Sequence, residues 1–354
     1  MTRFFVTLLA FFAAQPAWAQ TSDYAAFGAF LEAFRKESGT PALSALIVRD
    51  GEIAWETYLG TYDDEGERPT RAETTYKIAS VTKPIAATAI LEESSKAGLS
   101  LNTRMDRDDE WSELCEFFVS STPIPFMAGG KDRMGNPIAP MDCSKPTSIA
   151  DMLDMRANGA EFVYNPIAFA RLDRAILGGR GRALRDIVRE RVVDPAGMAD
   201  TALGWRDPQG GAALRHLAEP FHVIEGRAVK QVLPDDDFRA AAGIIANPRA
   251  IAAFDIAFDR GDFGDVGELT RLPIGPLGDY RRGWFLEDWN GTRLMWHSGW
   301  NEKKYSALYL KVPAKRLTLI VLANTEAVWW SNSLVKAEVV QSPIAARFLE
   351  TFVQ

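Results

Sequence analysis

The sequence predicts an α+β fold: strands from both ends of the chain form one antiparallel sheet flanked by helices, and an all-helical lobe is inserted between them. Strand patterns concentrate at 42–59 and 282–323, and helical patterns fill the stretch that separates them. Asp50-Gly51 is a strong hairpin turn between the first two strands. Separate runs of strands and of helices are typical of α+β proteins.

The individual elements follow from apolar residues at helical spacing or from alternating strand patterns. The predicted strands are 42–48, 53–59, 282–286, 292–297, 305–312 and 317–323. The predicted helices are 24–38, 85–97, 148–156, 168–177, 183–193, 250–258 and 333–352. We expect a sheet lobe at 20–79 and 275–354, a helical lobe at 80–274, and a functional cleft where the two meet.

The first residues are typical of a cleavable signal peptide. Arg3 gives a basic start, an apolar run covers 4–14, and Ala17-Trp18-Ala19 has the small-x-small pattern of a cleavage site. We expect cleavage directly after this motif, which removes 1–19 and leaves 20–354 as the mature domain. The apolar run is too short to span a bilayer. The mature chain is therefore expected to be periplasmic or secreted, without a transmembrane anchor.

Composition argues against several classes of function. The 354 residues are 47% hydrophobic and 25% charged, as in an ordinary globular protein, and the net charge of −7 does not suit a nucleic-acid-binding surface. The chain has no H-E-x-x-H pattern, no Walker loop and no G-x-G-x-x-G. We therefore expect no metal, no cofactor and no nucleic-acid partner.

Two cysteines, Cys115 and Cys143, suggest a disulfide formed in an oxidising compartment, with two buried free thiols as the alternative. They bracket a loop-like segment that is rich in proline and glycine. Closing a loop of this size stabilises a fold by about 3 kcal/mol in the chain-entropy model.

Ser80-Val81-Thr82-Lys83 places a serine and a lysine three positions apart, on one face of a helix predicted to begin here. A serine hydroxyl needs a base to become a nucleophile, and a lysine that burial keeps partly neutral can be that base. Backbone N–H groups at a helix start also suit a developing oxyanion. The alternative is that Ser80 only caps the helix and that Lys83 is a solvated charge.

Two further motifs carry polar side chains near the predicted cleft. Tyr164-Asn165-Pro166 precedes a predicted helix and offers a phenol beside an amide, and His297-Ser298-Gly299 ends one predicted strand just before another. A lysine cation close to Tyr164 would favour its phenolate form, so Tyr164 and Lys83 could act as one coupled base. The alternatives are a core tyrosine with a satisfied hydroxyl and a strand histidine that binds nothing.

In this order, the three motifs resemble those of the serine hydrolases related to class C β-lactamases, penicillin-binding DD-peptidases and esterases. The similarity extends to 194–201, which resembles a P-L-G-M-x-x-T segment of that family, and to 282–324, which resembles its closing strands. The resemblance covers residues 25–350. It implies a fold like that of serine β-lactamases and penicillin-binding proteins, with the nucleophile helix starting at the junction of two lobes.

The resemblance also implies a role for each motif residue. Ser80 resembles the acylated nucleophile, Lys83 its activating partner, and Tyr164 the tyrosine that shares general-base work. The backbone N–H groups of Ser80 and Trp300 would form the oxyanion hole. The residues that would bind substrate are His297, Ser298 and Gly299, in place of a K-T-G triad, and Asn165.

Departures from the family pattern affect the expected substrate. Pro166 stands where the family often has asparagine, and proline has no side-chain donor. His297 replaces the lysine of K-T-G, which weakens a fixed positive charge for a β-lactam carboxylate. The segment between the two cysteines looks like an insertion that could form one wall of the cleft.

We therefore expect an exported serine hydrolase that forms an acyl-enzyme at Ser80. Its substrate would be a small ester, an amide or a D-amino-acid peptide, and an esterase or a D-amino-acid peptidase is favoured over an efficient β-lactamase. Two alternatives stay open: a periplasmic binding or sensor protein of the same fold with weakened turnover, and a true class C-like β-lactamase.

Overall fold

The computed structural model describes residues 17–104, 109–121, 124–159, 161–233, 235–264 and 280–353. Its strands are β1 (Ala42–Arg49), β2 (Glu52–Gly60), β3 (Tyr76–Lys77), β4 (Gly130–Lys131), β5 (Pro137–Ile138), β6 (Ala202–Leu203), β7 (Phe221–Ile224), β8 (Arg227–Lys230), β9 (Ile244–Ala246), β10 (Tyr280–Arg281), β11 (Trp284–Trp289), β12 (Thr292–Asn301), β13 (Tyr305–Val312) and β14 (Leu317–Ala323). Its α-helices are α1 (Ala17–Glu37), α2 (Thr82–Ala97), α3 (Asp109–Ser121), α4 (Pro125–Ala128), α5 (Ile149–Leu153), α6 (Pro166–Ala170), α7 (Leu172–Arg180), α8 (Leu184–Val188), α9 (Asp194–Ala196), α10 (Gly211–Arg215), α11 (Pro248–Arg260) and α12 (Pro343–Phe352).

One seven-stranded antiparallel sheet runs in the order β10-β11-β12-β13-β14-β1-β2. β1 pairs with β14, so the two ends of the chain meet inside the sheet, where Leu46 lies opposite Ile320. The hairpin between β1 and β2 turns at Asp50 and Gly51, whose φ angles of 55° and 83° are both positive, as a type I′ turn requires. The predicted α+β architecture is confirmed.

Helices cover both faces of this sheet. Trp55 on β2 packs against α1, and Tyr309 on β13 packs against α11. The pairing register places Trp55 on the same face as Leu319, and Tyr309 on the same face as Ile320, the next residue of β14. Because neighbouring strand residues point to opposite faces, α1 and α11 lie on opposite sides of the sheet. Strands covered on both faces are buried throughout, as β13 and β14 are.

Helices dominate the middle of the chain, but short strands also occur there that the sequence patterns did not indicate. β3, β9 and β6 form a small sheet in that order, and β7 pairs with β8. Two to four residues are too few to show an alternating pattern. α11 falls within the predicted helical lobe but contacts β1 and β14 of the large sheet. The lobe boundaries at 79 and 275 stay a prediction.

The predicted helix at 333–352 is wrong in its first half. α12 begins only at Pro343, and the hydroxyl of Ser342 caps it by accepting a hydrogen bond from the backbone N–H of Ala345 over 3.3 Å. The hydroxyl of Ser333 instead donates to Asp132 over 2.7 Å. This tertiary hydrogen bond holds residues ahead of α12 in a non-helical path.

Residues 1–16 of the predicted signal peptide lie outside the described residues, and α1 begins within its last residues. Among the helices of the described part of the chain, none is both long enough and apolar enough to cross a membrane.

Candidate active site

Ser80 and Lys83 meet at the start of α2. Ser80 lies in the tight helical turn Ala79–Val81 that leads into this helix, and Lys83 Nζ donates a hydrogen bond to Ser80 Oγ over 2.9 Å. The same amine donates to the carbonyl oxygen of Ala241 over 2.8 Å. Ala79 has a φ of 46°, a left-handed conformation that costs an L residue on the order of 1 kcal/mol or more. The chain therefore holds hydroxyl and amine together beside a strained residue.

The amine of Lys83 is buried without a compensating charge. Its side chain is fully buried, and Nζ lies 5.0 Å and 5.5 Å from the ring centroids of Tyr164 and Phe169. No carboxylate among the described residues forms an ion pair with it. Burial therefore lowers the pKa of Lys83 well below its ordinary value. When neutral, the amine can donate to Ala241 and accept the hydroxyl proton of Ser80.

Tyr164 also lies at this site, where Lys83 Nζ is 5.0 Å from the centroid of its ring. Burial raises the pKa of Tyr164 above its ordinary value, and the nearby Ser80 side chain offsets this rise only in part. The expectation that Lys83 would favour a phenolate is therefore corrected, because an uncharged amine offers no positive charge to stabilise one. Tyr164 keeps its proton and can pass it on as a donor.

Asn165 does not face a substrate cavity. It is fully buried, and its Nδ2 donates to Phe126 O over 3.1 Å and to Asn158 Oδ1 over 2.9 Å. Its Oδ1 accepts from the backbone N–H of Ala168 over 3.0 Å and so caps α6, with Pro166 at the first helical position. All its polar atoms are used inside the protein. The structure thus gives Asn165 a structural role, contrary to the expected substrate contact.

β12 carries the His297-Ser298-Gly299 motif against the turn that holds Ser80. A Cβ atom added to Gly299 would lie 2.3 Å from the carbonyl oxygen of Ile78, so only glycine permits this approach. Ser298 Oγ donates to Asn332 Oδ1 over 2.8 Å. The motif therefore lies next to the turn that holds Ser80, as its sequence position suggested.

His297 is buried and uncharged. Its Nδ1 lies 2.7 Å from the carbonyl oxygen of Ser298, and its Nε2 lies 3.1 Å from the hydroxyl of Tyr280. Because a carbonyl only accepts, Nδ1 carries the proton and Nε2 accepts from Tyr280. Burial lowers the pKa of His297 well below its ordinary value. His297 cannot supply the positive charge of a K-T-G lysine.

The segment between the cysteines contacts Trp300, the residue that follows this motif on β12. A disulfide joins Cys115 to Cys143 across a sequence separation of 28, which confirms the predicted pairing. Arg133, on this segment, lies over the indole rings of Trp300 and Trp329, which stack on each other with centroids 4.3 Å apart.

Several site residues had no signal in the sequence. The Ala241 contact uses a backbone carbonyl, to which any residue type could contribute. Tyr280, Asn332 and Arg133 stand outside every recognisable motif and reach the site only through the tertiary fold. In the described ranges, no three His, Cys, Asp or Glu side chains cluster so that they could hold a metal ion.

A serine in the turn that leads into α2, a buried lysine in the first turn of that helix and a neighbouring strand of an antiparallel sheet form the arrangement that the resemblance to β-lactamase-related serine hydrolases implied. The chain belongs to the Beta-lactamase family, which matches residues 27–134 and 148–329. The matched ranges include Ser80, Lys83 and Tyr164 as well as the motif on β12.

Two relatives and one solved structure agree with this membership. The chain is 40% identical to Esterase EstB of Burkholderia gladioli over 224 residues, which cover 54% of this chain and 54% of the esterase. It is 23% identical to a D-aminopeptidase of Cereibacter sphaeroides, across 87% of this chain and 61% of that protein. The chain thus spans less than two thirds of the length of both relatives.

The solved structure is a class C β-lactamase from Rhodobacter sphaeroides. It superposes on 94% of this chain and 99% of its own with a TM-score of 0.65, at 14% sequence identity. That likeness confirms the predicted serine β-lactamase fold.

Proposed function

We propose that this protein is an exported hydrolase that cleaves an ester or an amide through an acyl-enzyme at Ser80. The observation that carries this proposal is the 2.9 Å contact between Lys83 Nζ and Ser80 Oγ, made by an amine whose pKa burial lowers. A neutral amine in contact with a hydroxyl is the arrangement that general-base activation of a serine needs.

In the acylation step, Ser80 Oγ attacks the substrate carbonyl carbon while its proton passes to the amine of Lys83. The backbone N–H groups of Ser80 and Trp300 stabilise the negative charge on the carbonyl oxygen. The close packing of Gly299 on Ile78 supports this assignment, because it brings β12 against the nucleophile turn.

The leaving group needs a proton as its bond to the carbonyl carbon breaks. The ammonium of Lys83 supplies it through the hydroxyl of Tyr164, whose ring centroid lies 5.0 Å from Lys83 Nζ. Water then attacks the acyl-enzyme, Lys83 takes a proton from this water, and Ser80 leaves with that proton. The sum is one ester or amide and one water converted into an acid and an alcohol or amine.

The site favours esters over β-lactams. β-Lactam substrates carry a carboxylate, and the position that a K-T-G lysine would occupy holds the buried, neutral His297. The similarity to Esterase EstB supports an ester substrate, and the similarity to a D-aminopeptidase makes a D-amino-acid amide the second candidate.

Export rests on the basic and apolar leader at 1–19 and on the disulfide between Cys115 and Cys143. Disulfides persist in oxidising compartments, so the bridge supports a periplasmic or secreted location.

Intact-protein mass measured after incubation with a p-nitrophenyl ester, a cephalosporin and a D-alanyl peptide tests the proposal. We expect an acyl adduct with the ester, its loss in Ser80→Ala, and its retention in Ser95→Ala, a matched control at an exposed serine of α2. An adduct that persists in Ser80→Ala would contradict the proposal. Ligand binding without any adduct would support the sensor alternative instead.

A further inference from the structure

The segment between Cys115 and Cys143, which we expect to form one wall of the cleft, carries a cation, Arg133, that none of the three motifs includes. The guanidinium carbon of Arg133 lies 4.9 Å and 5.4 Å from the ring centroids of Trp329 and Trp300. Arginine favours such aromatic faces because its guanidinium is planar and weakly hydrated. The two stacked indoles therefore hold the charge of an otherwise exposed side chain in one place.

This stack is bonded to the strand that carries the substrate-binding motif. Trp300 follows the motif directly on β12. Trp329 Nε1 donates over 2.8 Å to Asn332 Oδ1, which also accepts from Ser298 Oγ over 2.8 Å. The guanidinium of Arg133 thus lies over an indole that shares a hydrogen-bond acceptor with the motif.

The loop that presents Arg133 is anchored by its neighbour. The carboxylate of Asp132 accepts hydrogen bonds from Ser333 Oγ over 2.7 Å, from the backbone N–H of Leu334 over 3.3 Å and from Asn136 Nδ2 over 3.0 Å. The bonds from Ser333 and Leu334 tie the cysteine-closed segment to the residues ahead of α12. Arg133 is therefore presented from a fixed backbone.

The charge of Arg133 is not neutralised within the described residues. Its one hydrogen bond there goes to Ser331 Oγ over 3.3 Å, and no carboxylate in that part of the chain forms an ion pair with it. Glu326 contacts the same stack, but its Oε2 accepts from Trp300 Nε1 over 3.1 Å and from the backbone N–H of Lys303 over 2.7 Å. Among the described residues, the positive group over Trp300 and Trp329 therefore has no counter-ion.

We propose that Arg133 determines specificity by binding a carboxylate of the substrate, which makes anionic esters or amides the preferred class. The inference rests on the proposed function. An uncompensated guanidinium offers paired donors to a carboxylate, and the buried, neutral His297 cannot do so. Arg133 lies over Trp300, which follows Gly299 on β12, so the carboxylate is expected on the part of the substrate that extends from the scissile carbonyl toward Trp300.

Two matched pairs of substrates test this inference. The first pair is the p-nitrophenyl monoester of adipic acid and p-nitrophenyl hexanoate, with the carboxylate on the acyl side. The second pair is 4-carboxyphenyl acetate and its methyl ester, with the carboxylate on the leaving group. The quantity measured is the ratio of kcat/KM for the anionic substrate to that for the neutral one.

Arg133→Gln is expected to lower this ratio about tenfold for at least one pair, the effect of one hydrogen bond to a charged group. Arg133→Lys should retain part of the ratio, and Lys131→Gln, at an exposed lysine of the same segment, should leave it unchanged. Added salt should also lower the wild-type ratio, because it screens an exposed charge.

A ratio in Arg133→Gln within about twofold of wild type for both pairs would overturn the inference, since that is below the effect of a single such bond. Intact mass separates this failure from that of the proposed function. If the wild type is acylated at Ser80 but the ratio does not respond to Arg133→Gln, the specificity inference alone fails. If neither the esters, the cephalosporin nor the D-alanyl peptide acylates the wild type, the proposed function fails and the inference falls with it.

Discussion

Replacing Lys83 by methionine removes the proposed base but keeps a side chain of similar length. The amine contacts Ser80 Oγ at 2.9 Å and Ala241 O at 2.8 Å, and methionine supplies neither a proton acceptor of similar strength nor a donor. Loss of a positioned general base costs about 10²–10⁴-fold in rate. We expect kcat/KM for a p-nitrophenyl ester to fall by about that factor, with a parallel loss of the acyl adduct.

The same substitution tests whether the amine is buried without charge. Because the pKa of Lys83 is lowered in the folded protein, the unfolded chain binds more protons between the folded pKa and the ordinary value of about 10.4. The free energy of unfolding of the wild type therefore rises with pH across this interval, and that of Lys83→Met lacks this contribution. The unpaired carbonyl of Ala241 costs the variant about 1–3 kcal/mol at every pH.

Denaturant unfolding of wild type and variant over a range of pH values measures this difference, and Lys131→Met provides a control at an exposed lysine. Relative to Lys83→Met, the wild type should gain stability as the pH rises toward 10.4. The base assignment would be refuted by a variant that retains wild-type kcat/KM within about tenfold. A stability difference that does not change with pH would refute the uncharged burial of Lys83.

Two further substitutions test the geometry around the nucleophile. Gly299→Ala places a Cβ 2.3 Å from Ile78 O, so we expect β12 to shift, acylation at Ser80 to fall and the free energy of unfolding to drop by about 1–3 kcal/mol. Intact mass and denaturant unfolding measure both effects, and unchanged acylation would show that this approach does not matter for the reaction. Asn165→Ala removes the cap of α6 and the donor to Phe126 O, and should cost about 2–4 kcal/mol in unfolding while KM for an ester stays within about threefold. A large rise in KM at unchanged stability would restore Asn165 as a substrate contact.

Sequence patterns predicted β13 and β14 of the large sheet well, because these two strands are long and buried throughout. The strands Tyr305–Val312 and Leu317–Ala323 begin and end at the predicted residues. The segment at 333–342 was assigned to a helix, although tertiary contacts of Ser333 with Asp132 hold it in another path. Local pattern cannot report a hydrogen bond between residues this far apart in the chain.

At the site, the sequence indicated residue types but not their protonation. Ser80, Lys83 and Tyr164 lie together as their motifs suggested, yet the pKa of Tyr164 moves in the direction opposite to the one expected. The expectation assumed a charged lysine, and charge depends on burial, which follows from the whole fold. The partners of Asn165 were not predictable from the sequence either. Its side-chain amide hydrogen bonds with groups inside the protein, and local sequence patterns do not show which groups lie near it.

Two buried lysines in this protein show what makes an amine a base. Burial alone would lower the pKa of Lys311, but Asp255 and Asp259 form ion pairs with it and hold its pKa above the ordinary value. Lys83 is equally buried, yet the described residues place aromatic rings and a backbone carbonyl around its amine and no carboxylate. Its pKa therefore falls, and the neutral amine can accept the hydroxyl proton of Ser80. The reactivity proposed for Ser80 depends as much on the carboxylate missing beside Lys83 as on the lysine itself.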